Sequence, residues 1–376
     1  MIEDGETPQR IARLTPLRDV LARIDAHVKP VEVRTVELAA AAGRILAHDI
    51  VVDRPVPPAA LALRDGWAVR SDLTADAGPY APAPVPAAVR IDVGELLPSG
   101  ADAVAPLDSV IVRDGQAQAL SPVAPGDGVL PAGADAAGGA VLIPAGRRLS
   151  ALRSALLAAL GVERVAIRAL APGQYAAAAR ARGERMIEAA VAWIADAVAR
   201  EGGTAAVGDA DETLHRALTQ ADAEAVIVVG GTGCGRNDST VASAAAVGEV
   251  IAHGIGLIPA ETAAFAMVGA RPVLLLPGRL DGALAAWHML GRALLARLAA
   301  STEPPSRYVA RLTRKISSVA GLAELVAVRC EDRSATPIAF GYVPMTALAQ
   351  ANGWIFIPPE SEGLQADSEV MIRPWP

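Results

Sequence analysis

The residues best suited to chemistry lie in one short stretch, from Ala223 to Thr240, which reads AEAVIVVGGTGCGRNDST. The β-branched run from Val226 to Val229 has the pattern of a buried strand, and glycines occupy four of the next six positions. Glycine leaves backbone N–H groups free to converge on an anion. The residues predicted to bind a substrate here are Gly230, Gly231, Thr232, Gly233, Gly235 and Arg236.

Asp238 follows the same loop. Its carboxylate could hold Mg²⁺ beside a bound phosphate, so Asp238 is a candidate catalytic and metal-binding residue. The glycine spacing fits neither GxGxxG nor GxxxxGK[ST], which disfavours the common nucleotide-binding loops and a nicotinamide-dependent dehydrogenase. The structural alternative is a glycine-rich β-turn followed by a solvated aspartate.

A second turn has a related pattern. Val273 to Leu276 reads as a buried strand, and Pro277, Gly278 and Arg279 follow it directly, before a helix predicted from Asp281, as its cap, through Leu298. Loops that follow parallel strands emerge at the same edge of a sheet, where helix N-termini offer free N–H groups. We therefore predict one anion site where this turn meets the glycine loop.

Other candidate groups are weaker. Cys234 could be a thiolate stabilised by N–H groups or a small residue that fills a tight loop. With Cys330 as the other cysteine, no disulfide framework is expected. The five histidines show no metal-ligand spacing, and no Ser-His-Asp constellation can be identified.

From Val162 onward, strand and helix patterns alternate, which predicts a parallel α/β sheet. Its first strand is predicted at Val165 to Leu170, followed by a loop at Ala171 to Tyr175 and a helix from Glu184 to Glu201. Asp209, three residues before Glu212, suggests a helix-cap pair, with a ligand or metal role as the alternative.

The remaining chain completes a multidomain α/β plus β fold. Helices are predicted at residues 16–28 and 36–48, and a proline-rich region then favours short strands, such as those at 88–93 and 108–112. We predict an N-terminal helical domain interrupted by a β domain, then the α/β domain, and last a second β domain. The N-terminal helical domain spans 9–50 and 139–162, and the inserted β domain spans 51–138. The α/β domain spans 163–300 and the C-terminal β domain 305–376.

Several long motifs resemble one known family. LAAAAGRILAHDIVVDRPVPPAALALRDGWAV, from Leu38 to Val69, is similar to the LxEAxGRxLAxD…PxxxxSxMDGYAV pattern of the molybdopterin molybdotransferases. LPSGADAVAPLD, from Leu97 to Asp108, is similar to their PxGADAVVPxE, and LPGRLDGA to their LPGNPVSA. The C-terminal half of gephyrin belongs to this family. GGTGCGRND is closer to GGTGxxxRD of the related molybdopterin adenylyltransferases.

The resemblance implies an enzyme that inserts molybdate, or tungstate, into adenylylated molybdopterin. It also implies a homodimer, delivery of the product to a molybdenum- or tungsten-dependent enzyme, and a catalytic or metal-binding role for Asp65. In the family this aspartate reaches the glycine-rich domain across the dimer. The sequence alone also allows a turn aspartate before Gly66.

Departures from the family pattern cluster at its active site. The family's TGDEL loop is matched by APGQY at Ala171 to Tyr175, and its PGKP loop by the lysine-free IPAETAAF at Ile258 to Phe265. Cations there would offset repulsion between anions, and losing one such group typically costs about 10²–10³ in rate. A non-catalytic carrier or scaffold that binds the pterin is therefore the alternative function.

Composition limits the other functions. The chain has 376 residues, enough for several domains, and is 52% hydrophobic but only 3% aromatic, so its core relies on small aliphatic side chains. A net charge of −7 disfavours a nucleic-acid partner. The N-terminus has no signal-peptide core, and no window reaches the roughly 18 apolar residues of a membrane span. We expect a soluble cytoplasmic protein.

Overall fold

The computed structural model describes residues 9–170, 173–176, 184–208, 214–220 and 222–375. The chain divides into two compact units, one formed by residues 49–144 and the other by the segments on either side of it. Over these described ranges, every helix is too short or too polar to cross a lipid bilayer.

The first segment, residues 9–48, contains one α-helix and three strands. They are β1 (Thr15–Pro16), α1 (Leu17–His27), β2 (Val33–Glu37) and β3 (Ile45–Leu46), with a 3₁₀ turn at Leu38–Ala41. Helix α1 confirms the prediction at 16–28, but the helix predicted at 36–48 is wrong. Gly43 has a φ of +75°, which a right-handed helix cannot contain, and the two strands take the flanking residues, so tertiary pairing overrides the helix propensity of the alanines.

The unit of residues 49–144 is built from short strands, as predicted for the inserted region. They are β4 (Ile50–Val51), β5 (Leu61–Ala62), β6 (Gly66–Val69), β7 (Ala83–Pro84), β8 (Val89–Ile91), β9 (Ala103–Pro106), β10 (Val110–Arg113), β11 (Gln116–Ala119), β12 (Val129–Leu130) and β13 (Val141–Ile143). Strand β6 pairs antiparallel with both β8 and β9. A Cβ atom at Gly66 would lie 2.2 Å from the Ala105 carbonyl oxygen, so the approach of β9 requires glycine there.

The third segment carries the α/β sheet. Its elements are α2 (Ala151–Ala159), β14 (Arg164–Arg168), β15 (Gly173–Ala176), α3 (Glu184–Arg200), β16 (Ala206–Val207), α4 (Leu214–Gln220), β17 (Val226–Val229), α5 (Thr240–Val247), β18 (Glu249–His253), β19 (Ile255–Ile258), β20 (Ala264–Val268), β21 (Arg271–Leu276), α6 (Leu280–Ala286) and α7 (Arg292–Ala299). The sheet order is β16-β15-β17-β21-β20-β18. Strands β16, β15, β17 and β21 are parallel, whereas β20 runs antiparallel to both of its neighbours.

Strand β14 corrects the prediction that Val165 to Leu170 begins the α/β sheet. It pairs antiparallel with β2 and β3 in a separate sheet, and the α/β sheet instead takes β15. Buried Val165 and Ile167 alternate with the less buried Arg164, Ala166 and Arg168, the pattern of a half-exposed antiparallel strand, whereas β17 is buried throughout. Part of the predicted loop at Ala171 to Tyr175 is therefore strand. Residues 177–183, between β15 and α3, lie outside the described residues, as do Asp209 and Glu212.

Helices α6 and α7 form one continuous rod with a π-helical turn, Trp287–Gly291, between them. A Cβ atom at Gly291 would lie 2.4 Å from the Trp287 ring, so glycine permits the ring to pack on the turn. The rod agrees with the predicted helix, but Asp281 is not its cap. The capping position is Arg279, and Asp281 lies inside the first turn.

The last segment is β-rich, as predicted. Its elements are β22 (Tyr308–Leu312), β23 (Ile316–Ser317), β24 (Ala323–Glu331), β25 (Ser334–Ala339), α8 (Met345–Leu348), β26 (Gly353–Ile357), β27 (Gly363–Leu364) and β28 (Glu369–Pro374). Strands β24, β25, β22, β28 and β26 follow one another around a closed barrel, because β26 also pairs with β24. Apolar side chains such as Leu312, Val326 and Ile355 fill its core. The multidomain α/β plus β fold is confirmed.

Candidate anion-binding site

The glycine loop leaves the carboxyl end of the buried strand β17. Gly230 and Gly231 have φ values of +102° and +66°, a region that side chains disfavour, and they turn the chain sharply out of the sheet. The Thr240 hydroxyl donates to the Gly230 carbonyl at 2.8 Å and its N–H donates to the Gly231 carbonyl at 3.1 Å. The start of α5 therefore closes the loop at its base.

The second predicted turn meets this loop directly. The Gly230 N–H donates to the Leu276 carbonyl at 2.8 Å, which ties the ends of β17 and β21 together. A Cβ atom at Gly278 would lie 3.2 Å from the Gly230 Cα atom, so glycine on both sides permits this approach. The structure thus brings Pro277 and Gly278 beside the glycine loop at one edge of the sheet.

Asp238 folds back onto the loop. Its Oδ2 atom accepts a 2.9 Å hydrogen bond from the Gly235 N–H. Cβ atoms at Gly233 and Gly235 would lie 2.7 Å and 2.9 Å from the same oxygen. The lack of side chains at these glycines therefore makes room for a carboxylate, in addition to exposing backbone N–H groups.

Thr232 is 1% exposed, and its side chain points into the protein. Its hydroxyl lies 3.0 Å from the hydroxyl of Thr262, and its carbonyl lies 3.0 Å from Nε2 of His253. Thr262 belongs to the lysine-free stretch at Ile258 to Phe265. The sequence placed that stretch at the family's PGKP loop, and the structure places it against the glycine loop.

Gln9 is the main contact that sequence reasoning missed. Its side chain is 6% exposed, and its Nε2 atom donates to the carbonyls of Gly231 and Gly233 at 2.7 Å and 2.6 Å. Its Oε1 atom accepts from the N–H groups of Val241 and Ala242 at 2.9 Å and 3.1 Å. An amide oxygen thus occupies N–H groups at the start of α5 that could otherwise bind an anion. A single glutamine in a polar N-terminal stretch gives no periodic or motif signal.

Arg279 of the second turn is held by Asp281 and Tyr342. Arg279 donates to Asp281 at 3.1 Å, and its guanidinium lies 4.3 Å from the centre of the Tyr342 ring. The hydrogen bond that Arg279 donates to Asp281 raises the pKa of Arg279 against the opposing effect of burial, and Tyr342 adds to the rise. Asp281 is 4% exposed and also accepts from the Val343 N–H at 3.1 Å, so it anchors the barrel loop to the turn.

Arg236 and Cys234 lie on the exposed part of the loop. Within the described ranges, Arg236 has no hydrogen bond or ion pair to the protein, so its guanidinium is available to a ligand. Cys234 is a free thiol.

Asp65 lies in the other compact unit, at the start of β6. It is exposed, and its Oδ1 atom accepts a 2.8 Å hydrogen bond from the Val93 N–H. The neighbouring Arg64 donates to the Val104 carbonyl and forms a 2.8 Å ion pair with Asp127. The carboxylate of Asp65 therefore joins two loops of its own unit, and the residue remains exposed.

The donor set limits how Mg²⁺ could bind. In the part of the chain that the structure describes, no three His, Cys, Asp or Glu side chains come together as a metal cage. Mg²⁺ commonly needs only one or two carboxylates when phosphates and water complete its octahedron. Asp238 fits that arrangement if a phosphate occupies the loop, and it does not fit a metal site formed by protein groups alone.

Three family models match the chain in order. The MoeA N-terminal region (domain I and II) matches residues 15–161, the "Probable molybdopterin binding domain" matches 178–297, and the MoeA C-terminal region (domain IV) matches 309–375. The second range contains the glycine loop and the Pro277–Arg279 turn, so both lie in the region that matches a molybdopterin-binding model.

Similar proteins cover most of the chain. Molybdopterin molybdenumtransferase 1 of Mycobacterium tuberculosis is 26% identical, over 93% of this chain and 96% of its own. The Haemophilus influenzae molybdopterin molybdenumtransferase is 26% identical, over 78% of this chain and 80% of its own. A crystal structure of the molybdopterin biosynthesis MoeA protein of Pyrococcus horikoshii has a TM-score of 0.74 at 26% identity, and the match covers 96% of this chain and 99% of that one.

Proposed function

Because the chain belongs to the MoeA family, we propose that it is a transferase of molybdenum cofactor biosynthesis, which inserts molybdate, or tungstate, into adenylylated molybdopterin. The observation that carries the proposal is the meeting of the glycine loop with the Pro277–Arg279 turn at one edge of the sheet. The glycine loop carries Arg236 and the turn carries Arg279, and backbone N–H groups together with arginines are the donors that recognise a phosphorylated substrate.

Gly230, Gly231, Gly233 and Gly235 let the substrate approach the backbone, while Arg236 and Arg279 supply positive charge. Arg236 is exposed, and Arg279 is held in place by Asp281 and Tyr342. Thr232 holds the loop from inside, because its hydroxyl is engaged by Thr262.

Asp238 would hold Mg²⁺ together with substrate phosphates. The cation would offset repulsion between anionic reactants and stabilise developing charge. It would thereby replace the lysine of the family's PGKP loop, which this chain lacks. The carboxylate already lies against Gly233 and Gly235, so a phosphate bound by the loop would lie close to it.

The proposal includes a homodimer in which Asp65 of one subunit serves the glycine-rich domain of the other, with the four-domain bounds expected from the sequence. It also includes the adenylyltransferase-like GGTG motif as a local feature of the loop. A molybdenum- or tungsten-dependent enzyme would receive the product. The dimer is the prediction to test first. A monomer by light scattering at micromolar concentration would remove Asp65 from the site.

Single-turnover conversion of adenylylated molybdopterin with molybdate, with and without Mg²⁺, tests the transferase. We expect slow turnover that requires Mg²⁺ and falls by about 10²–10³ in Asp238→Asn, since one charge-stabilising group is lost. Asparagine retains an oxygen for the Gly235 N–H, so the loop should keep its shape.

Asp25→Asn, on the exposed side of α1, is the matched control and should turn over like the unmodified protein. If the pterin binds tightly but no turnover occurs with Mg²⁺ present, the transferase proposal fails. The protein would then be a carrier or scaffold for the pterin.

A further inference from the structure

A cavity of about 520 Å³ lies away from the glycine loop, where the end of α3, the α6–α7 rod and the linker after α7 come together. Its lining lies wholly in the larger compact unit and includes no residue of the glycine loop or of the Pro277–Arg279 turn. Cavities of this size commonly hold small molecules. A narrower cavity of about 160 Å³ shares His288 and Arg292 with it.

The lining carries more cations than anions. Four arginines and two glutamates face the cavity: Arg148, Arg200, Arg292, Arg373, Glu201 and Glu303. Glu201 is shared by two of the arginines, Arg148 and Arg292, at 2.8 Å each. Positive charge therefore remains in excess beside an apolar wall.

Glu303 is also fully engaged. It accepts from the Arg148 N–H and forms ion pairs with Arg153 at 3.0 Å and Arg147 at 3.3 Å. Burial opposes its ionisation, but these hydrogen bonds and charges together keep its pKa below the usual value. Neither glutamate is available to neutralise a further arginine.

Arg373 is the arginine that lacks a carboxylate among the described residues. It is half-buried, and its guanidinium lies 4.8 Å from the centre of the Trp354 ring. Burial lowers its pKa, and the charges of Arg292 and Arg307 lower it further. An anion beside Arg373 would relieve this repulsion.

His288 supplies an independent sign of a missing partner. It lines the cavity, is 5% exposed, and neither ring nitrogen has a hydrogen-bond partner. The rings of Trp193, Trp354 and Trp375 surround it, with centroids 5.7, 5.2 and 5.2 Å away. A buried polar group without a partner is destabilising, so a ligand that hydrogen-bonds the ring would recover part of that cost.

The rest of the wall is apolar and includes Leu21, Ile45, Met289 and Pro304. We propose that this cavity binds a small organic phosphate. Its phosphate oxygens accept from Arg373, from Arg292 and from the ring N–H of His288, and its carbon skeleton packs on the apolar wall. Arg292 uses its Nε atom for Glu201, which leaves its terminal nitrogens for the phosphate.

A doubly charged phosphate suits the site better than a carboxylate, because arginines in excess can offset two charges and guanidinium matches phosphate geometry. The site is separate from the glycine loop, so the proposal does not depend on the transferase assignment.

Isothermal titration calorimetry of the full chain tests the site, with phenyl phosphate as the probe and inorganic phosphate and benzoate as comparisons. We expect one equivalent of phenyl phosphate to bind and to change tryptophan fluorescence, because three tryptophan rings contact His288. Inorganic phosphate should bind more weakly because it lacks an apolar part, and benzoate because it carries one charge.

Arg373→Gln should weaken phenyl phosphate binding by about tenfold or more, the effect of one hydrogen bond to a charged group. Arg329→Gln, an exposed arginine of the same barrel that pairs with Glu331, is the matched control and should bind normally. Arg279→Gln should also bind normally, since it alters only the glycine-loop site.

If Arg373→Gln does not fold, His288→Phe provides the same comparison, with weaker binding expected from the loss of the ring N–H. Absence of binding by the unmodified protein at millimolar phenyl phosphate would overturn the proposal. So would unchanged affinity in the cavity variant, loss of binding in Arg279→Gln, or equal affinity for benzoate or inorganic phosphate.

Discussion

The glycine loop and the His288 cavity offer hydrogen-bond donors in opposite ways. The loop uses backbone N–H groups, several of which are already satisfied by Gln9 and Asp238. The cavity uses side chains, and there the His288 ring and Arg373 lack such partners among the described residues. Backbone N–H groups in the loop can form hydrogen bonds within the protein, and a ligand can displace those partners. Buried side chains without partners destabilise the folded protein until a ligand forms hydrogen bonds with them.

The largest effect on ligand binding should follow from filling the loop. In Gly233→Val, the new side chain would collide with the Asp238 carboxylate, because even a Cβ atom would lie 2.7 Å from it. We expect molybdopterin affinity to fall by about a hundredfold, or about 2.7 kcal/mol, with the domain still folded. Calorimetry measures the affinity, and phenyl phosphate binding in the cavity should not change. Unchanged pterin affinity would show that the loop is only a turn.

The next effect concerns pH and the cavity. Burial, with the charges of Arg292 and Arg373, lowers the pKa of His288 to about 3. The unfolded chain binds a proton near pH 6.5 while the folded protein does not, so His288 should reduce stability as the pH falls from about 6.5 towards 3. The expected slope is about 1.4 kcal/mol per pH unit.

His288→Phe removes this titration and the unpaired ring nitrogens. Urea unfolding followed by tryptophan fluorescence at several pH values should show a shallower loss of stability below pH 6.5 in the variant. The difference between the two proteins isolates His288 from other titrating groups. Parallel pH profiles would mean that the imidazole finds a partner or water in the folded protein.

A smaller effect is expected for Gln9→Ala, which removes four hydrogen bonds from the loop and α5. We expect a loss of about 1–2 kcal/mol in stability, because water can replace some of these partners. Single-turnover assays should show weaker pterin binding with a smaller change in the rate at saturation, since Gln9 positions the loop.

Exposed Gln350→Ala is the control for Gln9→Ala and should change neither quantity. An increase in pterin affinity on Gln9→Ala would mean that Gln9 competes with the ligand for the N–H groups of α5.

The sequence anticipated features that depend on local pattern. The run from Val226 to Val229 is a buried strand at the predicted residues, and the Pro277–Gly278 turn meets the glycine loop as the parallel order of β17 and β21 requires. Prediction from the sequence failed where pairing with a distant strand decides the secondary structure of a segment. Leu38 to Ala42 has high helix propensity, yet the neighbouring β2 pairs with β14, more than 120 residues later.

The sequence by itself determined the multidomain α/β plus β fold and the position of the glycine loop, because apolar periodicity and glycine spacing act over a few residues. Only the tertiary structure decided which groups fill that loop and which remain unpaired. Gln9 lies more than 220 residues from its partners, and the His288 cavity takes walls from α1, the α6–α7 rod and the C-terminal strand. Such contacts depend on how distant segments pack, and no local pattern encodes them.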